Sequence, residues 1–221
     1  VEAPYETGTF PSVSEVAGVL GGEPLEAEKS NNYTVGAVFR LGGFEATLDA
    51  YRIDIRDRIV LSENLTGGAI TDLLAPYNVT AARFFINGVE TRTTGIDAVL
   101  NYAWEQDAIG RLLFTVAANY NDTSVEKVPT STSALPDVVL FGRQNQLRFE
   151  EGTPESKWVL STAWDKSVGF GGLGASVRAT RYGETLSAGA TEAADLVIEP
   201  AWLLDLEAGS HAAPLLLDYE P

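Results

Sequence analysis

From Asn31 onward the chain alternates apolar and polar positions with a period of two, the mark of strands that differ on their two faces. In residues 31–40, Tyr33, Val35, Ala37 and Phe39 share a face. Residues 45–61 put Tyr51, Ile53, Ile55 and Ile59 on one face and Arg52, Asp54, Arg56 and Arg58 on the other. The stretch FFINGVETRTTGIDAVLNYAW, residues 84–104, ends in a clean run in which Ile96, Ala98, Leu100, Tyr102 and Trp104 oppose Gly95, Asp97 and Asn101. Residues 111–121, 157–164, 173–182, 201–208 and 215–221 complete the set. They predict an all-β fold, an antiparallel up-and-down meander of about eight strands.

The connections have a rhythm of their own, short and long by turns. RLGGF, EQDAIG, DKSVGFGG and GSHAAP are short; residues 62–81, 122–156 and 183–200 are long. In a meander this places all tight turns at one end and all long loops at the other. Short helical turns are expected in GGAITDLLAPYN and in residues 12–20, the latter with Ser12 as N-cap, Glu15 at the capping-box position and Gly21 closing it. Asn87-Gly88 is a strong hairpin signal. A hairpin there would reverse the parity of every later connection, so residues 82–104 are read as one strand with a kink or bulge at Asn87-Gly88. The hairpin is the alternative.

Composition narrows the classes. The 221 residues are 45% hydrophobic, with no Cys and a net charge of −16. Such acidity argues against nucleic acid as a partner, because phosphate contacts need clustered Lys and Arg. No run of 18 apolar residues exists to form a membrane helix, which says nothing against a membrane barrel. The chain opens VEAPYETGTF, without an initiator Met, and both ends read as cuts through a longer protein.

A membrane β-barrel with short turns on one side and long loops on the other matches the rhythm. Its strands face lipid with one side and a wet lumen with the other. Aromatic residues are expected at the two interfaces, and Tyr33, Tyr102, Trp104, Tyr120, Trp158, Trp164 and Trp202 are the candidates. Arg52, Asp54, Asp97, Asn101, Asn119, Arg178, Asp205 and Glu207 are the lumen-facing polar candidates. The competing reading is a soluble β-sandwich or barrel that binds carbohydrate or protein, since such domains also alternate. The discriminator is whether the apolar faces bury each other.

EAEKSNNYTVGAVFRLGGFEATLDAYRIDIRDRI, FFINGVETRTTGIDAVLNYAW and LLFTVAANYNDT resemble successive strands of the C-terminal barrel half of TonB-dependent outer-membrane receptors. The likeness covers residues 25–123, thins over 124–200 and returns in WLLDLEAG. It implies a segment of a larger, 22-stranded transmembrane barrel with a plugged lumen, in the bacterial outer membrane. It also implies uptake of a scarce nutrient (an iron chelate, a cobalamin-like or a carbohydrate ligand) driven by the TonB energy-coupling protein. Outer-membrane lipid, an N-terminal plug domain and a small polar ligand are the implied partners. The plug, the TonB-contacting box and the family's terminal strand signals are not found in this sequence. Residues 1–221 are expected to be a single barrel segment, with residues 1–30 an extracellular-loop-like lead-in.

No catalytic constellation converges, so the chain is read as no enzyme, with no metal and no cofactor. His211 is the only histidine and sits in an expected turn. GGLGAS, residues 171–176, lacks the Lys and strand–helix context of a phosphate loop. Asp54 and Asp57 fall on opposite faces, with arginines beside them, which suits ion pairing better than acid–base work. Ligand specificity is expected in the long loops, which are acidic and rich in Ser, Thr and Asn.

Overall fold

A computed structural model of the chain describes residues 7–212 except 130, 133, 136, 137 and 170; the expected strand at 215–221 lies outside the described residues. Seven long strands form an antiparallel meander: β2 (Lys29–Leu41), β3 (Phe44–Leu61), β4 (Ala81–Gln106), β5 (Gly110–Lys127), β6 (Ser156–Val168), β7 (Gly171–Tyr182) and β10 (Ala201–Ala212). Each pairs with its neighbour in the order β10-β7-β6-β5-β4-β3-β2. A short strand β1 (Thr7–Phe10) adds in parallel to β4, and β8 (Thr185–Ser187) pairs with β9 (Leu196–Ile198) in a separate two-stranded piece. Three helices are short: α1 (Glu15–Val19), α2 (Gly68–Leu74) and α3 (Arg143–Glu150). None is long and apolar enough to cross a membrane.

The loop rhythm holds. Residues 42–43, 107–109 and 169–170 make the tight connections, while 62–80, 128–155 and 183–200 make the long ones. The second long connection starts at 128 rather than 122. The Ser- and Thr-bearing residues that read as loop are strand, because β4 supplies partners for them: Thr93 opposes Thr123, with their hydroxyl oxygens 2.8 Å apart, and Thr91 opposes Val125. His211, expected in a turn, continues β10 opposite Gly172.

Asn87-Gly88 is a bulge inside one 26-residue strand. The register runs from Arg58–Val89 to Val60–Ile86, so two residues of β4 stand against one of β3. Gly88 has φ +109, a conformation that costs side-chain-bearing residues energy. The bulge also re-phases the strand. Below it the odd residues Val89 and Thr91 are buried; above it the even residues Ala82, Phe84 and Ile86 are. A strand without the bulge would turn one of these sets out of the core.

α1 begins later than expected. Ser14, not Ser12, is the N-cap: its Oγ accepts from the Ala17 N–H at 3.2 Å. A turn from Pro11 to Ser14, closed by the Ser14 N–H on the Pro11 carbonyl at 3.0 Å, places Ser12 and Val13 at its centre. Gly21, with φ +84, ends the helix: its N–H donates to Gly18 O and that of Gly22 to Ala17 O, a Schellman closure.

Among the described residues, the buried hydrophobic side chains form a core at the long-loop end. Val16, Leu20, Leu65, Ile70, Leu74, Leu135, Leu140 and Phe141 from the lead-in and loops close over Val60, Phe84, Ile86 and Val89.

Candidate functional site

Directly opposed residues of an antiparallel sheet share a face, so the register sorts every side chain. One row crosses all seven strands as Arg40, Glu45, Asn101, Thr115, Ser161, Arg178 and Asp205. A second, four residues higher on β4, runs Asp49, Asp97, Asn119, Lys157 and Tyr182. Between them these rows hold most of the polar candidates, and Glu207 lies on the same face opposite Ser176. The groups bind one another across strands. Thr115 donates to Asn101 at 2.7 Å, and Asn119 donates to Asp97 at 2.6 Å while accepting from Asn121 at 3.0 Å. Tyr51 opposes Gly95, where a Cβ would stand 2.4 Å from its ring; the missing side chain lets the ring lie across β4.

Arg52 and Asp54 do not belong to this face. Arg52 opposes Tyr33 and Thr94, and Asp54 opposes Asn31 and Arg92, on the side that carries Ala50, Leu48 and Ala46. β3 changes character along its length. Its even residues are apolar in the lower half and charged above; its odd residues are polar below and become Ile53 and Ile55 above, where the loops approach. Asp54 accepts from Arg52 at 2.9 Å and from Arg92 at 2.8 Å, and Arg92 also reaches Glu126 at 3.1 Å. The pairing of Arg52 with Asp54 was legible in the sequence; the face was not.

The aromatic candidates all lie on the apolar side or at its head. Rows there read Leu41, Phe44, Tyr102, Phe114; Phe39, Ala46, Leu100, Val116, Leu160, Ala179, Leu204; and Ala37, Leu48, Ala98, Ala118, Trp158, Arg181, Trp202. Trp104 and Trp164 share the lowest of these rows through Leu112. Tyr33 and Tyr120 stand toward the opposite, long-loop end.

At that end the long connections lock together against the polar-face side of β4 and β5, where Thr91 is buried and Val125 packs on the core. Glu63 from the first loop is the central latch. Its N–H donates to Leu140 O at 2.9 Å, and its Oε1 accepts from the Gly142 N–H at 3.0 Å and from Asn145 at 2.9 Å. Gly142 is the N-cap of α3 and has no side chain of its own to cap with. The carboxylate thus supplies the missing acceptor at a helix N-terminus. Arg58 stacks 4.5 Å over the Phe149 ring of α3 and bonds Thr91 Oγ1 at 3.0 Å. The third loop joins through Arg143, which pairs with Asp195, and through Gln144 donating to Ala188 O at 2.7 Å. Arg143, and then the Gly189 N–H, hold the Asp195 carboxyl below its usual pKa. The lead-in joins where Thr132 donates to Leu20 O at 2.8 Å.

Between the lead-in and the bulges is a cavity of about 480 Å3, lined among others by Glu23, Glu26, Asp57, Asn87, Ser131 and Thr132. Its polar lining is carboxylate, amide and hydroxyl. Glu63, Asn87, Arg143 and Asp195 carried no periodic signal in the sequence. Their partners are 46 to 82 residues away in most cases, and only the folded loops bring them together. Among the described residues, no group of three or more His, Asp or Glu side chains is placed to hold a metal ion.

Comparison with known proteins agrees with this architecture. The chain resembles the FrpB iron transporter from Neisseria meningitidis (F3-3 variant), with a TM-score of 0.58 and 16% identity over 86% of this chain and 25% of that one. It is also similar to a chain of the FpvAI–pyocin S2 complex, with a TM-score of 0.48 and 15% identity over 85% of this chain and 22% of that one. The chain therefore spans about a quarter of the length of these structures. No curated protein sequence matches it. The family described as TonB dependent receptor-like, beta-barrel, matches residues 5–212. With its open antiparallel meander, this chain belongs to the TonB-dependent receptor β-barrel family.

Proposed function

We propose that the chain is part of the barrel wall of an energy-coupled outer-membrane receptor that takes up a scarce polar nutrient. Its apolar face meets lipid, its polar face lines the lumen, and its loop cap stands at the outer mouth. The observation that carries this is the exposure of the apolar face on interior strands. Ile96 is 50% exposed, Leu160 42% and Leu100 36%, and among the described residues no second layer lies over them. A soluble sandwich would bury such a face against another sheet.

The dimensions fit. Ten residues separate Trp104 from Thr94, whose row holds Tyr33; at about 3.4 Å per residue and a tilt near 40° this is about 26 Å of height, close to the apolar band of outer-membrane barrels. Asp97, Asn101, Asn119, Arg178, Asp205 and Glu207 then face the lumen, where a plug domain would contact them. Arg52 and Asp54 stand outside, above the band. The acidic and hydroxyl-bearing lining of the loop cavity suits a polar or cationic ligand. Coupling to the TonB energy-transducing protein is part of this reading, and the family match supports it.

The test uses the intact receptor that contains this chain. Extracted from outer membranes, it should require detergent and migrate faster on unboiled than on boiled electrophoresis. Recovery as a monodisperse soluble protein without detergent would refute the reading.

A further inference from the structure

At the head of the apolar face, Arg181, like Arg56, has no partner among the described residues. Arg181 opposes Trp158 on one neighbouring strand and Trp202 on the other. It is the last but one residue of β7, and β10 begins one residue before Trp202, so the triplet sits where the strands meet the long loops. Arg40, Arg52, Arg92, Arg111 and Arg143 each pair with a carboxylate, whereas Arg56, Arg178 and Arg181 have none among the described residues. Arg181 has no ion pair, hydrogen bond or ring contact among the described residues.

The two indoles are in the same condition. Trp164, at the opposite end, donates its N–H to Ile109 O at 2.7 Å. Trp158 and Trp202 have no acceptor among the described residues, and they are 45% and 58% exposed. Three side chains therefore present donors side by side, none of them bonded to an acceptor among the described residues. A guanidinium on an apolar face is tolerated where its end reaches the polar boundary. Its planar fork matches the two oxygens of a phosphate, and an indole at such a boundary keeps its N–H toward polar groups.

We propose that Trp158, Arg181 and Trp202 form a binding site for the phosphate of a lipid headgroup in the outer leaflet. The site rests on the lipid-facing reading of the apolar face. Lipid is the occupant because the triplet is continuous with Leu160, Leu204 and Ala179 one row below, where acyl chains would lie against it. Arg178, three residues away on the same strand, faces the other side opposite Ser161 and Asp205 and serves as the control.

The intact receptor and its R181Q and R178Q variants are reconstituted in vesicles of equal parts phosphatidylglycerol and the phosphate-free digalactosyldiacylglycerol. Lipid retained on the protein is then read by native mass spectrometry. The wild type and R178Q should retain phosphatidylglycerol in preference to the galactolipid. R181Q should lose about fivefold of that preference, the scale of one cation at a membrane surface. Equal preference in R181Q and wild type, or no preference in wild type, overturns the site. Failure of all three proteins to insert into vesicles would instead overturn the lipid-facing reading, and the site with it.

Discussion

The side-chain amide of Asn87 donates to the backbone carbonyl of Asp57 at 2.6 Å, tying the bulge of β4 to the bend of β3. Asp57 itself has φ +55, and Gly88 follows Asn87 at φ +109. Asn87 also exchanges two bonds with Glu26, donating to its carbonyl at 3.0 Å and accepting from its N–H at 2.8 Å. One side chain thus joins both bulges to the lead-in. N87A should cost about 1–3 kcal/mol by stranding these groups, and G88A about 1–3 kcal/mol through backbone strain. Hydrogen exchange on the intact receptor checks this: protection should fall at residues 24–28 and 57–59 and hold in the lower halves of β3 and β4.

Phe84 is fully buried at the centre of the loop core. F84A should destabilise that core by about 3–5 kcal/mol. The strands below do not depend on it, so the variant should still run as a folded barrel on unboiled electrophoresis. Limited proteolysis should nonetheless cut within residues 62–80 and 128–155. Unchanged proteolysis would show that the loops are held by something other than this core.

The two faces make opposite demands on one strand. L160R places a cation midway up the apolar face and should cost about 2–4 kcal/mol of folding free energy in lipid. V159R, on the polar face, should cost less than about 1 kcal/mol. Denaturant titration of the receptor refolded into vesicles separates them, and equal costs would refute the assignment of faces.

The Arg143–Asp195 clamp should respond to acid. Arg143 and the Gly189 N–H depress the Asp195 pKa in the folded protein, so the clamp contributes in full above the ordinary aspartate value of about 4. That contribution is lost as pH falls through the depressed value. Mobility of residues 185–198, followed by a spin label at Ser187, should rise below about pH 4. D195N should show the raised mobility at neutral pH and little further change on acidification.

Glu63 caps a helix it is not part of. E63A removes the acceptor for Gly142 and Asn145 and should cost about 1 kcal/mol, the scale of a lost N-cap. Freed from the first loop, α3 should show faster amide exchange at residues 142–146.

The meander, the loop rhythm and the bulge were legible along the chain. Period-two alternation shows wherever a strand has two different environments, and the parity of the connections favoured a bulge at Asn87-Gly88 over the alternative hairpin. The chemistry of the loop end was not legible. Ser12 and Ser14 are equal candidates for a cap until the turn at Pro11 is seen to use the first. Thr123 and Val125 read as loop because their partners, Thr93 and Thr91, lie on a strand some thirty residues earlier. Arg52 and Asp54 would face the lumen only if β3 kept one apolar side throughout, and it does not.

By itself, then, the sequence determined that these strands have one apolar and one polar side, because alternation is a local property of a pleated chain. It also determined which end holds the long loops. Only the tertiary structure decided which strand rows align and where β3 exchanges its apolar side. It alone united Asn87 with Asp57, Glu63 with α3, and Arg181 with its two tryptophans. The physical reason is that register and loop contacts depend on groups far apart in the chain, and a two-residue bulge is enough to invert which side of a strand is buried.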